Sequence, residues 1–579
     1  MYGDFMIDSE IENIVYEDAS SEEECDFVEV RSENTDTEQE ENEDISEVGS
    51  PAVASSSQVA ASSSQTGEHC SFLARDGTRW SMWEYPATKT RRENLIYLIP
   101  GPIGEATNAR SIFECWNLFV TDDILDIIVI HTNQQIQKVQ PHYERERDAN
   151  TTDLQEIKAL IGLFYLAAYK KVNRCHVNEM WTTDGTGFEI ARTAMSERRF
   201  RFLLANLRFD DKQTRGERLK FDKLAAVRTF LDVFTNNCIK NYNVSEYCTV
   251  DEKLEGFRGR CGFRQYIPSK PNKYGIKIFL LVDSKTFYTH NLEVYCGKQP
   301  DGPFSVSNSA DSVVKRLTRP IVNSGRNITT DNWFTSFSLA TDLLQDRLTL
   351  VGTIRKNRKE IPAEFLNIKN RKVNSSKFAF TKAITLVSYV PKKSKNVLLL
   401  SSLHHSEEID RETGLAKKPE IISFYNRTKG GVDTVDQLTG NYNCVRNTSR
   451  WPMIIFYCVL NLAGINSYII HQANKNTSKL NNRREFLKEL CIILMSEHID
   501  KRKCILNLSK TIRTAAERIF PSDSEAGPSH SSTECVEKKR KRCDECETRK
   551  DRKTKYTCVK CKKYLCLEHA VQICRDCVE

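Results

Sequence analysis

The chain has 579 residues, 39% hydrophobic and 28% charged, too long for one hydrophobic core and apolar enough to build several domains. Its net charge of +6 hides an asymmetry: residues 1–50 hold 19 acids against the single Arg31, so the rest of the chain carries +24. An acidic tail on a basic body favours nucleic acid as a partner; nothing in the composition asks for a small-molecule substrate.

No secretory signal is expected, because Met1 to Glu10 is acidic and lacks an apolar run. Residues 1–105 read as a disordered acidic region, with the aromatic segment Arg79–Pro86 placed to dock on the body. From 106 to 246 helical spacing dominates, in Ser111–Val120, Asp122–His131, the run to Tyr169 and Ser196–Asn241. Thr152 and Gln155 bracket a capping-box pattern ahead of the third of these.

The period changes near Tyr247. Strand-like runs at Tyr247–Val250, Ile276–Asp283 and Thr289–Tyr295 precede a helix at Ala310–Leu317, a strand at Asn327–Thr330, a helix at Ser336–Asp346 and a strand at Leu348–Ile354. Residues 247–356 therefore read as the first part of an α/β sheet domain. Residues 357–419 are Lys-rich, carry strand-like pieces at Ala383–Val390 and Val397–Ser401, and read as an insertion. Residues 420–442 return to the sheet domain and 443–520 to helices. The apolar run Pro452–Ile470 contains Asn461, Gly464, Asn466 and Ser467, which a bilayer would penalise; a buried helix is expected there, and no membrane partner. A linker, 521–542, carries the basic run Lys538, Lys539, Arg540, Lys541 and Arg542, of the nuclear-localisation kind.

Four aspartates stand where a metal site would use them. Asp251 and Asp331 each follow a strand-like run, while Asp433 and Asp436 are three apart and share a face if helical. Phosphodiester cleavage benefits from two hard divalent ions, and hard ions take carboxylate oxygens. The bland alternative for each is a turn, cap or solvated helix residue. Arg258, Arg260, Lys270, Lys273 and Lys277 surround the first aspartate, either to meet a phosphate backbone or to form internal ion pairs.

The tail, 543–579, offers eight soft ligands in four pairs: Cys543 and Cys546, Cys558 and Cys561, Cys566 and His569, Cys574 and Cys577. Two tetrahedral Zn²⁺ ions suit that set, and so short a segment needs them to fold. Spacing leaves the pairing open. Residues 538–563 hold 13 basic against 4 acidic residues, which favours DNA over a ubiquitin-ligase or chromatin-reader role.

Several stretches, in order, resemble the piggyBac transposases: Thr249–Cys261, Tyr266–Lys277, Arg326–Ser336, Tyr425–Gln437 and Arg450–Met453. The similarity runs from about Ala106 to the C-terminus. It implies an RNase H-like catalytic domain with an inserted β-containing domain, embedded in an all-α dimerisation and DNA-binding domain, with a small C-terminal cross-brace zinc finger. The family's catalytic triad maps onto Asp251, Asp331 and Asp433, with Asp436 a further catalytic aspartate, binding two Mg²⁺ or Mn²⁺. The cross-brace would put Cys543, Cys546, Cys566 and His569 on one zinc and Cys558, Cys561, Cys574 and Cys577 on the other. The implied reaction is cut-and-paste transposition by a nuclear homodimer. A freed 3′ end attacks the opposite strand to form a hairpin, the hairpin is reopened, and the end joins a TTAA target; excision leaves no footprint. The zinc module would hold the terminal inverted repeats. Trp451 would stack on an unpaired base near the hairpin, or simply pack at a helix start before Pro452. The alternative is a domesticated derivative that binds DNA without cutting it.

Overall fold

The computed structural model describes residues 71–86, 96, 98–268, 270–475, 482–520, 541–547, 553–554, 556–558, 561 and 563–570. The chain divides into two units, residues 1–520 and 521–579. Residues 1–70 of the acidic region, Lys538, Lys539, Arg540, Cys574 and Cys577 lie outside the described residues.

The first unit opens with a hairpin, β1 (Ser71–Leu73) and β2 (Arg79–Ser81), inside the region the sequence assigned to disorder. Trp80 explains the difference. Its side chain is 1% exposed, its indole N–H donates to the Glu360 carbonyl at 2.9 Å, and its ring meets Phe337 edge-on. With Phe72 edge-on to Phe365 and Ala74 buried, the buried indole docks the hairpin on the body. A short β3 (Gly101–Pro102) pairs with β4 (Tyr242–Asn243). Between them run α1 (Ile112–Asn117), α2 (Asp122–Val139), α3 (Leu154–Tyr169), α4 (Glu189–Ala194), α5 (Glu197–Asn206), α6 (Lys212–Leu219) and α7 (Arg228–Lys240). At α3 the capping residue is Asp153, whose carboxylate accepts from the Glu156 N–H at 2.8 Å. Thr152 instead bonds the Glu156 carboxylate, so the cap falls one residue late and the reciprocal half of the expected box is replaced by this bond.

Next come β5 (Tyr247–Gly256), β6 (Gln265–Tyr266), β7 (Tyr274–Asp283), β8 (Thr289–Val294), α8 (Ala310–Thr318), β9 (Asn327–Thr330), α9 (Phe337–Gln345), β10 (Thr349–Thr353), α10 (Ala363–Leu366), β11 (Ser376–Phe380), β12 (Thr385–Lys392) and β13 (Lys395–Ser401). They build one eleven-stranded mixed sheet in the order β1-β2-β11-β12-β13-β10-β9-β5-β7-β6, with β8 also on β7. Only β5–β9 and β9–β10 pair in parallel; the other pairs are antiparallel. All four residues of β9 are buried although three are polar. Its side chains are paired: Asn327 accepts from the Thr349 hydroxyl, Thr329 meets Thr428, and Thr330 meets Thr335. Buried polar groups survive when they are satisfied in this way.

The segment expected to be an insertion does not form a sheet of its own. β13 pairs with β10, in a register that sets Val351 opposite Ser401, so β11–β13 continue the central sheet. An exposed edge on β10 is thereby covered.

Helices α11 (Glu420–Thr428), α12 (Gly431–Asn441), α13 (Trp451–Asn474), α14 (Arg483–Lys503) and α15 (Lys510–Ile519) complete the unit. α14 lies along α3, and α1 packs on α13 and α14, so the two helical stretches of the sequence join. Phe164, Phe200, Phe209, Phe230, Phe456 and Tyr457 form their aromatic centre. α13 is long and apolar enough to cross a membrane by length and composition, yet 89% of its most apolar window is buried in the protein. Its Asn466 is satisfied there by the Thr289 backbone.

Candidate active site

The parallel pair β5–β9 sets Val250 opposite Thr330. The next residue on each strand is an aspartate, so Asp251 and Asp331 come level. Here β5 continues to Gly256, and Asp251 lies within the strand rather than just after it. Asp331 ends β9 in a tight turn: its Oδ1 accepts from the N–H groups of Trp333 at 2.9 Å and Phe334 at 3.3 Å. Carboxylate oxygens of Asp251, Glu252 and Asp331 all lie within 4.8 Å of one another.

Helix α12 is brought to this place by threonines. Thr249 on β5 donates to the Thr428 carbonyl at 2.6 Å, and the Thr428 and Thr329 hydroxyls are 2.8 Å apart. At Gly431 a Cβ would sit 2.5 Å from Thr249 Oγ1, so the helix starts in contact with the strand because it starts without a side chain. Gly431→Ala is expected to destabilise the unit by about 1–3 kcal/mol through overpacking; unchanged thermal unfolding would contradict the close approach. Asp433 follows in the first turn, exposed, outside the tight group of three. It is still near: the charges of Asp251 and Asp433 both act on Lys270 and on the Tyr425 hydroxyl. Asp436 stands apart from the group and ion-pairs with Lys253 at 2.5 Å.

Burial, and then the neighbouring charges of Glu252 and Asp331, hold Asp251 well above the usual carboxylate range. Asp331 is pushed up to about 6, by burial first and Glu252 second. Acids crowded together out of water resist ionising together. The donor set is all hard oxygen, so a divalent cation such as Mg²⁺ fits and would relieve this repulsion.

The basic residues divide. Lys270 is half-buried, its Nζ 3.1 Å from the Glu252 carbonyl and 4.0 Å from its carboxylate. Arg258, Arg260 and Lys273 are exposed. Lys277 corrects the expectation of a surface contact: it is 5% exposed and lies over the rings of Phe279 and Trp333 at 5.0 and 4.8 Å, a packing position. Trp451 is 8% exposed and meets Phe263 edge-on at 5.0 Å, so here it packs at the start of α13.

Sequence reasoning missed Glu252, Lys253 and Tyr425. Strand period two places Lys253 and Glu255 on the face of Asp251, a signal that was available once β5 is drawn to its full length. Tyr425 had no local signal, because only the return of α11 to the sheet brings it there.

In the second unit Cys543, Cys546, Cys566 and His569 converge, with ligand atoms within 4.8 Å of one another. Cys543 Sγ and His569 Nδ1 are 3.6 Å apart, Cys546 and Cys566 Sγ 3.7 Å, and Cys566 Sγ and His569 Nδ1 3.5 Å. A tetrahedral ion with ligands at about 2.0–2.3 Å has edges of about 3.3–3.8 Å, so the four could hold a metal. Burial pushes the Cys543 thiol up, but the Cys566 and Glu545 N–H groups and His569 outweigh it and bring it down to about 6, toward a ligating thiolate. The first pair meets the third rather than the second. Cys558 and Cys561 are described, but their expected partners Cys574 and Cys577 are not.

Adjacent acids on a mixed sheet, with a helix bringing Asp433 near, make a carboxylate site able to hold a divalent cation. A family model described as Transposase IS4 matches residues 112–468. A solved piggyBac transposase, in a synaptic complex with hairpin DNA, superposes with a TM-score of 0.70 at 38% identity, covering 83% of this chain and 100% of that one. The chain belongs to the piggyBac transposase family. Two Homo sapiens proteins are also similar. PiggyBac transposable element-derived protein 3 is 24% identical over 358 residues, 60% of this chain and 58% of that protein. PiggyBac transposable element-derived protein 2 is 23% identical over 376 residues, 62% and 61% respectively. The chain thus spans less than two thirds of either human relative.

Proposed function

We propose that this chain is a DNA transposase that excises an element through hairpin ends and joins it at TTAA targets, using an RNase H-like core. The observation that carries this reading is the levelling of Asp251 and Asp331 on neighbouring parallel strands, with a third carboxylate within 4.8 Å, in a chain that covers the whole of a piggyBac transposase seen with hairpin DNA.

Asp251, Asp331 and Asp433 would hold two Mg²⁺ or Mn²⁺ ions, which when bound activate a water or 3′-hydroxyl nucleophile and steady the leaving oxygen. The protein's own work is positional. The Asp331 turn, pinned by two N–H groups, fixes one carboxylate. The threonine ladder and Gly431 fix the start of α12, and with it Asp433. Lys270, Arg258, Arg260 and Lys273 offer cations to the phosphate backbone beside the acids. Asp436, the further aspartate of the family pattern, serves this centre from beside it, ion-paired to Lys253. Trp451, seated against Phe263, serves as packing for that wall.

The C-terminal unit reads as a cross-brace on two Zn²⁺ ions that recognises the element's terminal repeats, in support of which the first and third ligand pairs converge. The basic run Lys538–Arg542 directs the chain to the nucleus, where it works as a homodimer. The test is incubation of the full chain with Mg²⁺ and duplexes bearing the genomic sequences that flank its own gene. Nicks at the 3′ ends and hairpin products on a denaturing gel are expected. A chain that binds those duplexes and leaves them uncut is instead a DNA-binding derivative without catalysis.

A further inference from the structure

Lys253 lies two residues beyond Asp251 on β5, so the two share a face of the strand. Its side chain is 4% exposed. Its Nζ is 2.5 Å from Asp436 Oδ1, 2.8 Å from Thr439 Oγ1 and 3.2 Å from Glu255 Oε1. Glu255 in turn contacts the buried Cys458 thiol on α13. A buried ammonium is costly unless opposite charges and hydrogen bonds compensate it, and removing one member of such a set leaves the others uncompensated. This one spans β5 and α12, with a link onward to α13, directly behind the acids.

The placement matters for Asp433. Helix α12 is held at its start by Gly431 against Thr249 and, from Asp436 onward, by Lys253. Asp433 lies between these two attachments. Val432 and Val435 also bury one face of the helix, but apolar packing fixes rotation less sharply than a directed ion pair, and a small roll would swing Asp433 toward or away from Asp251 and Asp331. We propose that Lys253 is a positioning residue: acting through Asp436, it fixes the rotation of α12 on β5 and thereby sets Asp433 against the other two aspartates. The proposal rests on reading those aspartates as ligands of divalent ions. It differs from a purely structural role for Lys253, in which losing it would lower folding stability and leave the Mn²⁺ affinity of the folded chain unchanged.

Mn²⁺ binding to the zinc-loaded full chain, followed by electron paramagnetic resonance of the free ion, separates the two. Lys253→Met is expected to weaken Mn²⁺ binding about tenfold or more, the usual range for a residue that orients a ligand from behind. In an Asp436→Asn background the same substitution should weaken it by less than about twofold further, because both act on one attachment. Wild-type affinity in Lys253→Met, or full multiplication of the two penalties, overturns the proposal. Should Lys253→Met fail to fold by circular dichroism, Lys253→Arg keeps the charge and moves the contacting atoms. Intermediate affinity is then expected, and unchanged affinity overturns the proposal. Asp331→Asn is the separate control. If it binds Mn²⁺ as tightly as wild type, the carboxylate reading itself fails, whatever Lys253 does.

Discussion

Asp331→Asn is expected to abolish strand cleavage, by at least about a thousandfold, while making the metal-free protein more stable at neutral pH. The loss follows from removing a charged oxygen from a set that works as a unit, where single deletions cost nearly as much as removing the set. The gain follows from the crowding. Asp331 is raised from 3.8 to about 6, so between those values the folded chain holds a proton that the unfolded chain has released. Stability contributed by this group therefore falls as pH rises from about 4 to about 6, and stays lower above that. Asparagine removes the penalty and keeps an acceptor for the Trp333 and Phe334 N–H groups. A gain of about 1–3 kcal/mol is expected at pH 7.5 in EDTA, vanishing near pH 4. Saturating Mg²⁺ should reverse the ranking, because it binds only the folded wild type. Thermal unfolding across pH, with and without Mg²⁺, measures all three. A variant that melts below wild type in EDTA at pH 7.5 would show that the aspartate is there for structure.

This trade of stability for function also shows where the sequence was legible. The strand ending in Thr330, the Asp331 beside it and the cysteine pairs stand out locally, because turns, strand period and ligand spacing are short-range signals. Asp251 was found, but its strand was drawn too short. The run Glu252 to Glu255 looks like a loop until Lys253 is seen to pair with Asp436, nearly two hundred residues away in sequence. Pairing at that distance leaves no local trace. The same holds for β11–β13, whose alternation says strand but not which sheet, since an edge accepts any partner of suitable register. The docking of the aromatic segment around Trp80 was legible, but the strand before it hid behind acidic and Ser-rich neighbours, although Phe72, edge-on to Phe365, helps to seat it. Lys277 misled in the opposite way. A lysine among lysines suggests a phosphate contact, and only the stacked rings of Phe279 and Trp333 show it to be packing.

The second large effect concerns zinc. Removing it with a chelator, or replacing Cys543 or Cys566 with serine, is expected to unfold residues 543–579 and cut binding to terminal-repeat DNA by at least about a hundredfold, leaving the melting of the first unit unchanged. The reasoning is energetic. A segment this short cannot bury enough apolar surface to fold alone, and structural zinc supplies apparent energies of about 10–16 kcal/mol at neutral pH. The two units are distinct in the chain, so the loss should not spread. Cys543 and Cys566 are 23 positions apart, yet the Cys566 N–H donates to Cys543 Sγ at 3.2 Å; either serine should therefore empty the same site. Fluorescence anisotropy at one fixed salt concentration is the measurement, since a salt change alone alters affinity for any basic tail. Binding that survives zinc removal would mean that the 13 basic residues of 538–563 act as an unstructured polycation, and that recognition of the element's ends lies in the helical part of the first unit.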